Sequence, residues 1–279
     1  MIKLFLILIL ILSTFPGLAP AFGLKVSPAA FIVHNVRPGQ IYDVYQETGT
    51  RLTIYNDGPT SRKYNLSVEQ KSGKKLTGYQ SIPDPRWCWF ENAEVEVAGE
   101  SIGYGHIKIQ IPDEEKYYNQ SWLALFVVKG SSGGRMSLAI QVQVQIETKS
   151  KDSVGENPAG IIAVKPNMLH FPSTRGRKLK VIQIYNNDDI DHTYWVTSLL
   201  QREDLRIAAY LTQNYRPMLT PEWLSYNKDK FVIKANESKD FLICPSIPDR
   251  IKYRRRQWED VLIVETDDGL SGIIRVRFY

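Results

Sequence analysis

The stretches "LTIYNDGPTSRKYNLSV" (Leu52–Val68) and "VIQIYNNDDIDHTYWVTSL" (Val181–Leu199) both contain Ile-Tyr-Asn, ending at Asn56 and Asn186. Each also places a Tyr eight residues after that Asn, at Tyr64 and Tyr194. Further landmarks follow in the same order. Pro85-Arg86-Trp87 is answered by Pro221-Glu222-Trp223, Glu100-Ser101 by Glu237-Ser238, and Ile111-Pro112-Asp113 by Ile247-Pro248-Asp249. Tyr117 and Trp122 are answered by Tyr253 and Trp258, and upstream Lys25-Val26-Ser27-Pro28 faces Ala163-Val164-Lys165-Pro166. After the Tyr the spacing between copies grows from 130 to 136, as an inserted loop would cause, and then nearly holds. Such order marks a tandem duplication.

Within each copy the hydrophobic period is two, the strand signature. Ile107, Ile109 and Ile111 alternate with Lys108 and Gln110, and the second copy repeats this at Phe231 and Ile233, Phe241 and Ile243, and Ile274, Val276 and Phe278. The longest run places Met136, Leu138, Ile140, Val142, Val144 and Ile146 on one face and Ser137, Ala139, Gln141, Gln143 and Gln145 on the other. One face suits a core; the other suits water or a partner. Turn chemistry separates the runs at Asn56-Asp57-Gly58-Pro59, Ser72-Gly73, Ser131 to Gly134 and Asp267-Asp268-Gly269. Helical pattern is confined to Gln201 to Gln213 and Glu114 to Asn119. About six to eight short strands per copy describe a β-sandwich. The polar stretch from Lys149 to Gly160 reads as a linker between a first sandwich at 22–148 and a second at 161–279. Asn56 and Asn186 then sit where a strand meets a turn, with side chains suited to bonding nearby backbone. Tyr64 and Tyr194 are expected half-buried in the next strand, and Trp87 and Trp223 at the core or its rim.

Residues 1–21 carry Lys3, an unbroken apolar run from Leu4 to Leu12, and Ala19-Pro20-Ala21, the pattern of a cleaved secretory signal. The run is short for a bilayer span, and no later stretch is long enough to be one. An exported, soluble protein is the expectation, with no transmembrane span in the mature chain. A charged fraction of 23% and a net charge of +5 describe a folded chain without a nucleic-acid signature. Two cysteines, Cys88 and Cys244, fall one in each copy at non-equivalent places. An oxidising compartment permits a bridge between them, and two buried thiols are the other reading.

The order Val-x-Pro, strand, Ile-x-Asn turn, Tyr-bearing strand, Trp, Glu-Ser turn, Ile-Pro resembles a bacterial pattern. It is similar to the amino-terminal immunoglobulin-like domain of pilus-assembly chaperones and to the immunoglobulin-like peptidoglycan-binding domain of WxL-type surface proteins. The resemblance implies two tandem immunoglobulin-like β-sandwiches, all-β, in a bacterial periplasm or at the cell surface. The chain departs from both families. Pilus chaperones pair two dissimilar domains, their carboxylate-anchoring basic pair has no placed counterpart here, and the carboxy-terminal membrane segment of WxL-type proteins is lacking.

Catalytic and metal signals are weak. Gly130-Ser131-Ser132-Gly133-Gly134 has nucleophile-elbow spacing, but a strand follows it where the motif needs a helix. The four histidines have no partner at ligand spacing, and Asn186 to Asp191 lacks the pattern of a calcium loop, so no metal, cofactor or catalytic residue is expected. Two features suit binding. Arg250, Lys252, Arg254, Arg255 and Arg256 form a basic loop whose counterpart, Asp113 to Lys116, is acidic. It would meet an anionic envelope polymer or, head to tail, the acidic loop of another copy. The strand bearing Leu138, Ile140, Val142 and Val144 would pair with a partner strand if it lies at a sheet edge, and Pro at Gln143 would then abolish capture. The sequence thus reads as a non-catalytic binding or assembly protein of the bacterial envelope. The alternative is a periplasmic, pilus-chaperone-like protein that holds a secreted subunit by strand pairing.

Overall fold

The computed structural model describes residues 24–70, 76–130, 138–152, 157–172, 179–246 and 256–279. The first copy contains β1 (Leu24–Ser27), β2 (Ala30–Val36), β3 (Ile41–Asp43), β4 (Leu52–Asn56), β5 (Arg62–Glu69) and β6 (Gln80–Ser81). It continues with β7 (Cys88–Phe90), β8 (Glu94–Val97), β9 (Ser101–Gly105), β10 (Ile107–Gln110), β11 (Ser121–Gly130) and β12 (Leu138–Thr148). One layer has the order β2-β12-β11-β5-β8, with β6 on β11; the other comprises β1-β4-β9 and β3-β10-β7. Both layers contribute to one core, in which Val142, Val144, Phe126 and Tyr64 meet Leu52, Ile54 and Ile109.

The second copy contains β13 (Ile162–Lys165), β14 (Met168–Phe171), β15 (Lys180–Asn186), β16 (His192–Ser198) and β17 (Arg216–Pro217). Then come β18 (Leu224–Tyr226), β19 (Phe231–Ile233), β20 (Ser238–Pro245), β21 (Trp258–Thr266) and β22 (Ser271–Phe278). Its layers are β13-β15-β20-β18 and β14-β22-β21-β16-β19, with β17 on β21.

The duplication is visible in the leading strand of each copy. β1 pairs antiparallel with β4 (Val26↔Ile54), passes the cis Ser27–Pro28 peptide, and continues as β2, parallel to β12 (Phe31↔Val144). Likewise β13 pairs with β15 (Val164↔Ile184), and after the cis Lys165–Pro166 peptide β14 runs parallel to β22 (Leu169↔Val276). This change of sheet splits one expected strand into two, one reason the strands are shorter and more numerous than the period-two runs suggest.

The repeated Asn proves to be a buried clamp. Asn56 Nδ2 donates to the carbonyls of Thr60 (2.8 Å), Val97 (3.0 Å) and Ala98 (2.9 Å), while its Oδ1 accepts from the Gly58 amide (3.2 Å). Asn186 does the same toward Ile190 (2.8 Å) and Ile233 (3.1 Å), accepting from the Asp188 amide (3.1 Å). Tyr64 and Tyr194 are fully buried rather than half-buried. Their strands lie inside a sheet, where Tyr64 is flanked by Gly130 and Val95 and faces the opposite layer. Trp87 packs against Trp122 (5.6 Å between rings) and Tyr117 (4.9 Å), as Trp223 packs against Trp258 (5.3 Å).

The short helical turns read in Gln201 to Gln213 and Glu114 to Asn119 are present as 3-10 turns, Ile207–Ala209 and Glu115–Tyr117, with another at Leu199–Gln201. Other features differ from expectation. Helix α1 (Val44–Thr48) was not expected from the pattern. Asp43 caps it by accepting from the Gln46 amide, and Gly49 ends it at φ 71°. The 149–160 segment is fastened at both ends: Asn119 bonds Lys151 through its amide and carbonyl, and Asn187 Nδ2 donates to Pro158 and Gly160. Cys88 and Cys244 are free thiols, the first buried on β7 and the second half-buried on β20. Among the described residues no helix is long and apolar enough to cross a membrane. The leader expected at 1–21 lies outside the described residues.

Candidate functional site

Strand β12 joins the two features that matter, a locked end and an open end. At its carboxy-terminal end, Glu147 is buried where the two copies meet. Arg275 on β22 forks onto it, Nε to Oε2 at 2.9 Å and Nη2 to Oε1 at 2.5 Å, and turns Nη1 to Glu259 on β21 at 2.7 Å. Arg277 Nε donates to the other Glu259 oxygen at 2.7 Å. Tyr79 OH donates to Glu147 at 2.6 Å, and His34 bridges Glu147 (2.9 Å) to Thr212 (3.0 Å). Two arginines balance two carboxylates, so the buried group carries little net charge. Burial alone would push the Glu147 carboxyl up, but Arg275 and His34 prevail and hold it well below the usual carboxylate range.

Around this network the outer faces of β11 and β21 close on each other. Tyr79 and Leu123 pack with Leu199, Tyr210, Val261, Ile263 and Ile273 in a third apolar cluster. The contact fixes the two sandwiches relative to each other. Beside it, a cleft of about 1000 Å³ opens between β2 with α1 and the Ile207–Ala209 turn, lined in part by His34, Tyr42, Thr48, Gln145 and Thr212. Gln145 Nε2 donates to the Ala209 carbonyl across it at 3.2 Å.

The amino-terminal half of β12 differs. β11 pairs with β12 over its length from Leu138 to Glu147, whereas β2 reaches only from Gln143 onward. Among the described residues nothing pairs with the other edge of Leu138 to Val142. The Gln143 amide donates to Ala29 O on the β2 side (3.0 Å), and the Thr148 amide to Gln120 O on the β11 side (3.0 Å). Because backbone groups alternate sides along a strand, the N–H and C=O of Ala139 and Gln141 point to the open edge. The apolar face emerges with them: Val142 is fully buried, Ile140 partly covered and Leu138 37% exposed. The equivalent half of β22 carries the first copy on its outer face instead, against the side chains of Ser271 and Ile273. There the Gly78 amide donates to Ser271 Oγ at 2.7 Å, and Gly78 lies so near Ile273 that a Cβ would come within 2.1 Å of it.

Of the residues singled out in the sequence, Leu138, Ile140 and Val142 lie on this half-open strand, and Val144 is buried beside β2. Gln143 is not at the open edge, since its amide already serves Ala29; the testing position is Gln141. Of the basic loop, Arg250, Lys252, Arg254 and Arg255 lie outside the described residues, and Arg256 is exposed. The acidic counterpart is partly neutralised by its own lysines, Glu114 pairing with Lys116 (2.5 Å) and Glu115 with Lys151 (3.5 Å). The Ser131 to Gly134 motif also lies outside the described residues. Sequence reasoning missed Glu147, Glu259 and Arg275. The available signal was the continuous apolar runs Trp122 to Val128 and Val261 to Val264, which mark strands buried on both faces.

No family profile and no curated protein matches the chain. Among solved structures it is similar to a protein of unknown function from Porphyromonas gingivalis, with 14% identity over 91% of this chain and 98% of that one at a TM-score of 0.36. It is also similar to the E. coli chaperone DraB, with 11% identity over 92% and 95% at 0.31. The periplasmic chaperone SfaE gives 13% identity over 92% and 98% at 0.33.

Proposed function

We propose that this is an exported, non-catalytic binding protein of the bacterial envelope that holds an extended segment of another secreted polypeptide by strand addition along the open edge of β12. The observation that carries the reading is that, among the described residues, Leu138 to Val142 pair on one side only, with the outward backbone groups of Ala139 and Gln141 beside an emerging apolar row. The incoming strand would find main-chain partners at Ala139 and Gln141 and apolar contact at Leu138 and Ile140, with Val142 and Val144 anchoring the strand from the core. The leader pattern of residues 1–21 supports export to the periplasm or cell surface.

The test is Gln141→Pro. It removes one outward donor and leaves the β11 ladder intact, a placement that strands tolerate. An unmet partner carbonyl costs about 1–3 kcal/mol, equivalent to about 5- to 150-fold in Kd. The bound polypeptide recovered from source cells with the tagged wild-type protein should be lost or strongly reduced with the variant. In amide exchange, Ala139 and Gln141 should be unprotected in the free protein and protected in the complex. Equal capture by a folded Gln141→Pro variant would reject strand addition.

A further inference from the structure

His192 opens β16 with its side chain 2% exposed, in the midst of three carboxylates. Its Nε2 lies 3.0 Å from Asp188 Oδ2. A carboxylate can only accept, so Nε2 carries the hydrogen and the imidazole is held with Nδ1 facing the other way. The polar atoms that Nδ1 faces are Asp268 Oδ2 at 3.8 Å and Asp267 Oδ1 at 4.0 Å. Both distances exceed hydrogen-bond length and leave room between the ring nitrogen and the two carboxylates. We propose that His192 Nδ1, Asp267 and Asp268 form a binding site for a divalent cation of the zinc class.

The three donor atoms lie within 4.8 Å of one another, and a zinc ion about 2.0–2.2 Å from each would draw them together by a few tenths of an ångström. The mixed imidazole and carboxylate set suits zinc, whereas calcium takes oxygen donors. Asp188 supplies the outer carboxylate that orients a metal-bound histidine through its second nitrogen. Asp267 and Asp268 are 59% and 42% exposed, which gives the ion a path in from solvent. The duplication provides an internal contrast. The place of His192 in the first copy is taken by Arg62, a fixed positive charge, whereas the second copy puts a neutral-capable ligand there and gathers carboxylates about it. The ion would tie the β21–β22 turn to the turn before β16, clamping one end of the second sandwich.

The experiment is calorimetric titration of the untagged full chain with zinc chloride at pH 7.5, with calcium chloride in parallel. One zinc per chain is expected, with binding at least about tenfold weaker in Asp267→Asn. Asp267 is exposed, so that variant should keep the wild-type melting temperature in chelator. Nitrogen NMR should show the His192 Nδ1 resonance shifting on zinc addition. Absence of saturable zinc binding, binding that Asp267→Asn leaves unchanged, or a His192 Nδ1 signal unmoved by zinc would each overturn the assignment.

Discussion

Replacing Arg275 by Met tests whether the buried charge network fixes the two sandwiches to each other. The guanidinium makes two hydrogen bonds to Glu147, one to Glu259 and one to the Tyr210 carbonyl (2.9 Å), and it is fully buried. Without it, Glu147 keeps only His34 and Tyr79, while Glu259 retains Arg277 and Thr212. Removing one partner of a buried pair costs about 3–5 kcal/mol. For a chain of this size that lowers Tm by roughly 6–20 °C. The pH dependence should change direction as well. In the wild type the Glu147 carboxyl is depressed, so its stabilisation is present above the unfolded pKa and lost as pH falls through the folded one. In the variant, burial is no longer outweighed by Arg275, the folded pKa rises above the unfolded value, and stability falls as pH rises. The pair Glu147→Gln with Arg275→Met removes the stranded charge and should recover a large part of the loss. Urea unfolding at pH 5 and pH 7.5 reads both variants against the wild type. A cost below about 1 kcal/mol, or an unchanged pH slope in Arg275→Met, would refute the reasoning.

Two further measurements bear on the fold. Asp260 is buried; burial, with a smaller push from Glu259, raises its carboxyl to about 7 from 3.8, against the bonds from Ser198 and the Val261 amide. A raised acid binds more protons when folded, so it costs stability progressively from about pH 4 to 7; Asp260→Asn should be the more stable protein at pH 8 by about 2–4 kcal/mol and nearly equal to wild type at pH 4, and parallel pH profiles would reject this. Asn186→Ala strands two buried carbonyls and the Asp188 amide and should cost about 2–4 kcal/mol in urea unfolding, whereas a loss under about 1 kcal/mol would mean that water replaces the clamp.

The duplication, the strands and the clamp at each Ile-Tyr-Asn were legible in the residues because they rest on local rules. Period two puts Val142, Val144 and Ile146 on one face, and Asn at a strand end bonds the backbone it meets. The two-sandwich layout followed from the repeat, and Leu138 to Val144 was marked as a strand fit for pairing. Tyr64 and Tyr194 were placed in the correct strands but not at the correct depth, since depth depends on what the opposite layer supplies. The cluster at His192 was hidden because Asp267 and Asp268 come from a distant hairpin. Sequence alone determined which side chains share a face. Only the tertiary structure decided which face meets the other sandwich and which half of β12 is paired, among the described residues, on one side alone. Alternation is fixed within a strand by backbone geometry, whereas edges, buried ion pairs and interfaces depend on residues far apart in the chain. Glu147 and Arg275 become partners because the two sandwiches dock, and the edge at Gln141 stays open because β2 begins too late to cover it.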